Sequence, residues 1–220
     1  EGRLIACEHG DRRISAMPLS GGGGKKTLSD QVNGKRFNSP NDVVAHSNGS
    51  YYFTDPPYGL PKYENDPSRE TREFGVYRIA PTGVTSLIIG DLTRPNGVAL
   101  SPDEKTLYVA QSDMARPVIM AYPILADGAL GAGKVFFDAS TLAKQGLRGA
   151  PDGIKTDRDG NVWSTGPGGV LVITPTGDLL GRIDSGEATA NCAWGDDGST
   201  LYITSDMYLC RIKTTARGVF

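Results

Sequence analysis

Short apolar segments alternate with polar turns along the whole chain, and they come in pairs. Val43-Val44-Ala45 is followed across Asn48-Gly49 by Tyr51-Tyr52-Phe53-Thr54, and Val98-Ala99-Leu100 across Pro102-Asp103 by Leu107-Tyr108-Val109-Ala110. Ile154 is followed across Asp159-Gly160 by Val162-Trp163-Ser164, and Cys192-Ala193-Trp194 across Asp197-Gly198 by Leu201-Tyr202-Ile203-Thr204. Segments of this length, rich in Val, Ile, Tyr and Leu and separated by turn residues that accept positive φ, predict β-hairpins. A third strand is predicted after each pair: 75–79, 118–122, 169–173 and 208–212. Turns such as Pro81-Thr82-Gly83 and Pro175-Thr176-Gly177 then lead into a further strand. No long 3.6-residue periodicity competes; 141–148 predicts a short helical turn.

The unit therefore has about four strands, and it recurs along the chain. Sheets repeated in this way bury their faces by stacking radially on one another, so the pattern predicts an all-β propeller of four-stranded antiparallel blades, one domain spanning 1–220. Four units look fairly complete and one partial. Gly2-Arg3-Leu4-Ile5-Ala6-Cys7 matches only the second half of one, which predicts roughly one more blade of chain ahead of Glu1 and six blades in the parent protein.

A polar residue recurs where each unit begins: Asn41, Asn96, Asp152 and, in a looser copy, Asn191. Equivalent positions of propeller blades converge on the central axis. Amide and carboxylate oxygens gathered there suit a hard cation such as calcium. Local turn capping is the competing account of any single Pro-Asn or Pro-Asp pair.

Lys plus Arg number 23 against 25 Asp plus Glu, so the net charge is −2. That balance gives no electrostatic footprint for nucleic acid or an anionic membrane, and the apolar runs are too short to span a bilayer. The three cysteines match no zinc spacing and, being odd in number, no disulfide framework. They read as buried thiols in a reducing, cytoplasmic setting; a periplasmic or secreted one stays open, since the chain starts without Met. Gly21 to Gly24 lacks the Walker spacing and reads as a hairpin turn.

Ser39-Pro40-Asn41-Asp42-Val43-Val44, Thr54-Asp55-Pro56-Pro57-Tyr58-Gly59, Arg94-Pro95-Asn96-Gly97-Val98 and Pro151-Asp152-Gly153-Ile154, in that order, resemble the regucalcin and gluconolactonase family, in its bacterial gluconolactonase-like branch. The resemblance covers nearly the whole chain. It implies a six-bladed propeller that hydrolyses sugar lactones with a divalent cation, Ca2+ or in its place Zn2+, Mg2+ or Mn2+, in the central channel. It implies Asn96 and Asp152 as metal ligands, Asp152 also as the catalytic acid or base, and Asn41 as a substrate contact and occasional ligand. The Glu that the family contributes from its first blade has no match here and is expected upstream of Glu1; Glu8 does not sit in the right pattern. Ser39 and Pro40 stand where the family often carries an Arg.

Tyr58, in the charged and Pro-rich segment 56–74, and His9, after an inner strand, are further candidates for contacting a small lactone. Asp42 is a candidate for hydrogen bonds behind the metal site. No Gly-x-Ser-x-Gly elbow is present, which argues against a covalent acyl-enzyme. The alternatives are a propeller acting as a ligand- or protein-binding platform, or a related ester or phosphoester hydrolase.

Overall fold

The computed structural model describes residues 2–219, which form an all-β propeller fold. The chain divides into two compact units, Glu1–Pro95 and Asn96–Phe220.

In the first unit, β1 (Arg3–Glu8), β2 (Arg13–Pro18) and β3 (Lys26–Ser29) make a three-stranded antiparallel sheet. A two-stranded ribbon follows, β4 (Gln31–Val32) and β5 (Lys35–Arg36). Its turn is Asn33-Gly34, with φ of 50° and 74°, the left-handed pair that such a tight hairpin needs. The ribbon was not among the predicted elements, although the Asn-Gly signal was there. Then β6 (Val43–Ala45), β7 (Tyr51–Thr54), β8 (Val76–Ile79) and β9 (Thr85–Ile89) form a four-stranded meander. Its core is aromatic: Phe37, Phe53 and Tyr77 are buried with Ile14, and their ring centroids lie 5.1–5.4 Å apart.

The second unit takes in β10 (Pro95–Leu100) from its second residue onward, and with β11 (Thr106–Gln111), β12 (Val118–Pro123) and β13 (Lys134–Asp138) this strand makes a second four-stranded sheet. The short helix α1 (Ser140–Lys144) falls inside the predicted 141–148 turn but for its first residue. A third such sheet comprises β14 (Ile154–Thr156), β15 (Val162–Gly166), β16 (Gly169–Ile173) and β17 (Leu179–Ile183). The last sheet is β18 (Thr189–Gly195), β19 (Thr200–Ser205) and β20 (Tyr208–Lys213). Trp163 meets Trp194 edge to face at 5.0 Å and seals β15 against β18 together with Cys192, Leu201 and Ile203.

Five blade sheets are thus described, three of four strands and two of three, rather than six blades. Of the four fairly complete units expected, the last has three strands among the described residues. The chain after β20 bonds back instead of adding a strand: Gly218 N–H donates to Gly198 O at 2.9 Å and Arg158 N–H to Arg217 O at 2.8 Å. Between the third and fourth strand positions the register shifts in every sheet that has both, at Ile14/Ser15, Val76/Tyr77, Ile119/Met120 and Val172/Ile173. Among the described residues no helix is long and apolar enough to cross a membrane.

Candidate active site

In the second unit the strand starts that carry Asn96, Asp152 and Asn191 lie side by side. Gly97 is the reason that the first two can meet. A β-carbon there would stand 2.0 Å from Asp152 O, so only glycine lets the strands approach. Asn96 is 5% exposed, and its Nδ2 donates to Ser112 Oγ at 2.8 Å. Ser112 Oγ in turn donates to Pro151 O at 2.6 Å. Asp152 N–H reaches Thr165 O at 3.4 Å, and Thr165 N–H donates to Gly153 O at 2.8 Å, which pins the Asp152-Gly153 turn to the end of β15. Gly153 N–H donates to Ala190 O at 2.9 Å, joining the next strand start.

Asn191 does not occupy the position of the other three polar residues. Its N–H donates to Thr204 Oγ1 at 2.9 Å and its Oδ1 accepts Cys192 N–H at 2.8 Å. These are the bonds of Asp42, whose N–H reaches Thr54 Oγ1 at 3.2 Å and whose Oδ1 accepts Val43 N–H at 2.8 Å. Asn191 is therefore the counterpart of Asp42 and Gly153, and Ala190 is the counterpart of Asn41 and Asp152. The register also shifts at this point, between Thr189 and Asn191. The Pro that precedes Asn41, Asn96 and Asp152 is missing before Asn191, and that was the available warning. The Asn191 amide instead fills the space beside Gly153, where a β-carbon would meet its Oδ1 at 2.2 Å. A cavity of about 370 Å³ opens on the other side, lined by Lys155, Asn191, Tyr202, Thr204 and Leu209 among others, and by neither Asn96 nor Asp152.

The first unit holds Asn41, His9 and Tyr58. Asn41 N–H donates to Thr54 O at 2.9 Å and Thr54 N–H to Asp42 O at 3.0 Å. The turn before it is built on Asp55, which is fully buried. One Asp55 oxygen accepts Asn38 N–H at 2.8 Å and Asn38 Nδ2 at 3.1 Å; the other accepts Ser39 N–H at 2.7 Å. Burial pushes the Asp55 carboxyl up to about 7, against the pull of these donors. Ser39 Oγ donates to Pro56 O at 2.6 Å and accepts Gly59 N–H at 2.9 Å. Gly59 is clamped: a β-carbon would lie 2.7 Å from Ser39 Cβ and 2.8 Å from His9 Cβ. His9 and Ser39 thus pack against Gly59, the neighbour of the half-buried Tyr58, and Ser39 leads into Pro40-Asn41. Partial burial lowers the His9 pKa, favouring neutral imidazole near pH 7.

Arg12, itself buried with φ of 56°, ties the chain before Asn38 to the 56–74 segment. Its Nε donates to Phe37 O at 2.5 Å and its Nη1 to Ser68 O at 3.0 Å. The 56–74 segment is an ordered loop. Asp66 caps it at Lys62 and Ser68, and Arg69 lies 4.1 Å over the Phe74 ring. Glu8 has its oxygens engaged by Ser15, Lys25 and Arg13, and the Ser15 hydrogen bond leads in holding its carboxyl down at about 2. Cys7, Cys192 and Cys210 are free thiols.

The donor set of the second unit fits a hard cation. It is an amide and a carboxylate on strands held in contact, and such ions take oxygen ligands. Among the described residues no group of three or more His, Cys, Asp or Glu could hold a metal, so an ion here would depend on amide oxygens, water and further ligands.

The sequence matches the family described as SMP-30/Gluconolactonase/LRE-like region over residues 1–207. The chain belongs to this family. It is similar to the gluconolactonase of Zymomonas mobilis, at 38% identity over 99% of this chain and 62% of the relative. Lactonohydrolase oryL of Aspergillus oryzae is 29% identical over 90% of this chain and 49% of its own. A solved gluconolactonase from Xanthomonas campestris superposes with a TM-score of 0.80 at 37% identity, covering 92% of this chain and 65% of that one. The calcium-binding regucalcin of Agrobacterium tumefaciens shares the fold, with a TM-score of 0.77 at 20% identity over 100% of this chain and 75% of that chain. The 220 residues span less than two thirds of the length of both curated relatives.

Proposed function

We propose that the protein hydrolyses a sugar lactone, with Asn96 and Asp152 holding a divalent cation, calcium by preference, and Asp152 serving as acid and base. In the whole protein we place these residues in a six-bladed ring, as the resemblance implies. The observation that carries the reading is the contact between the Asn96 and Asp152 strand starts, enforced by Gly97 and bridged by Ser112. The similarity to named gluconolactonases and lactonohydrolases supports the same reaction class.

A bound cation would act as Lewis acid on the lactone carbonyl. Asp152 takes a proton from the attacking water as the new C–O bond forms, then returns it to the ring oxygen as the old C–O bond breaks, leaving a hydroxy acid. The Asn41 side-chain amide is the donor assigned to the carbonyl oxygen as it gains charge. His9 and Tyr58 contact the sugar, the neutral His9 ring as a hydrogen-bonding wall.

The test is turnover of glucono-1,5-lactone by the full-length protein. Asp152→Ala lowers kcat about 10²–10⁴-fold and weakens calcium binding, and chelation removes activity that calcium restores. Unchanged turnover in Asp152→Ala, or full activity after thorough chelation, overturns the mechanism.

A further inference from the structure

Ser112 follows β11 directly and belongs to none of the repeating anchors. It stands between the two candidate ligands. Its hydroxyl is 2.8 Å from Asn96 Nδ2 and 2.6 Å from Pro151 O.

Counting donors fixes the direction of both bonds. A carbonyl oxygen only accepts, so the single hydroxyl proton of Ser112 goes to Pro151 O. That leaves lone pairs on Oγ, and whatever faces them must donate. The side chain of Asn96 offers a donor only through its NH₂ group. The orientation of the Asn96 amide, which shape alone leaves open, is therefore set by hydrogen-bond chemistry: nitrogen toward Ser112, Oδ1 turned away from it. Pro151 O belongs to the peptide group whose nitrogen is that of Asp152. One hydroxyl thus ties the amide of the first candidate ligand to the backbone of the second.

We propose that Ser112 is a positioning residue that presents Asn96 Oδ1 to the cation and fixes it relative to Asp152. This rests on the reading of Asn96 and Asp152 as cation ligands. The last torsion of an Asn side chain is broad and two-fold, so without the hydroxyl the amide can turn over. The flipped amide aims its N–H groups at a positive ion and loses the ligand. Two neighbouring side chains are directed elsewhere. Gln111 Nε2 donates to Arg116 O and Thr165 Oγ1 to Ala190 O, neither of which touches Asn96.

The experiment is calorimetric titration of the full-length protein with calcium chloride, with a thermal melt of each metal-free variant. Ser112→Ala raises the calcium Kd about 10–100-fold, the range for partners behind a metal ligand, while the metal-free melt stays close to wild type. Ser112→Thr and Ser112→Val add a pair of equal volume that differs in the hydroxyl. Thr binds calcium at least about tenfold more tightly than Val, and this pair decides the matter should the Ala variant fail to fold. Equal Kd in Thr and Val, or wild-type Kd in Ala, overturns the assignment. A weaker Kd matched by an equal loss of metal-free stability also overturns it and makes Ser112 a residue of the fold alone. Wild-type protein that binds no divalent cation sinks the proposed function instead, which is a distinct result.

Discussion

The turns at Pro40-Asn41-Asp42 and Pro151-Asp152-Gly153 are built on one backbone plan and put to different uses. In both, the polar residue donates its N–H to the carbonyl of a Thr at the end of the next strand, Thr54 or Thr165, and that Thr donates back to the residue that follows. The plan then diverges at that following residue. Asp42 caps its own strand by accepting Val43 N–H, while Gly153 gives up its side chain so that Asn191 can fit against it. It diverges again one residue beyond the Thr. Asp55 is a buried carboxylate holding Asn38 and Ser39, whereas Gly166 in the other turn has no side chain for that task. The repeat thus supplies a frame, and the chemistry at each copy depends on the residues that flank it.

Swapping the flanking residues gives the largest predicted effect. Gly153→Asp forces a β-carbon to within 2.2 Å of Asn191 Oδ1 and 2.6 Å of Asn191 Cα. It should cost about 3 kcal/mol in a denaturant melt; a loss under about 1 kcal/mol would mean that the two strand starts are not in contact.

The second effect is a pH dependence. Folded Asp55 keeps its proton up to about 7, whereas an unfolded Asp releases it near the ordinary 3.8. Between these values the folded state binds more protons, so stability from this residue falls as pH rises from about 4 toward 7. Asp55→Asn should flatten that slope in melts across the window. An unchanged slope would assign the titration to another group.

The reverse swap, Asp42→Gly, removes the strand-start hydrogen bond to Val43 N–H and should cost about 1 kcal/mol by the same melt. A cost equal to that of Gly153→Asp would erase the distinction between the two turns. Smallest is a matter of rate. Burial first, then Asp42 and Asp55, raise the Cys7 thiol well above its usual range. Iodoacetamide should therefore label Cys7 in the native protein far more slowly than in the unfolded chain.

The hairpin repeat was legible because period-two strands and Gly-containing turns leave local marks. Those marks placed β7, β11, β15 and β19 close to where they are found. Asn41, Asn96 and Asp152 were legible because each follows Pro and heads a strand. Asn191 was misplaced by one residue because no Pro marks its strand start and an Asn stands one position further along, where it caps Cys192 N–H. Ser112, Asp55 and Arg12 escaped notice as organisers for a different reason. Their bonds join residues 16 to 56 positions apart, and such pairings leave no periodic trace in composition. Asp55 lay inside a motif that marked the family without revealing that the Asn41 turn hangs from it.

The recurring register shift ahead of β3, β9, β13 and β17 has a consequence for how copies of this protein meet one another. Each shift twists an outer strand out of line with its neighbour, so its free N–H and C=O groups do not present a straight ladder. Four rims that could have templated strand-on-strand fibrils are thereby made poor mates for a second molecule.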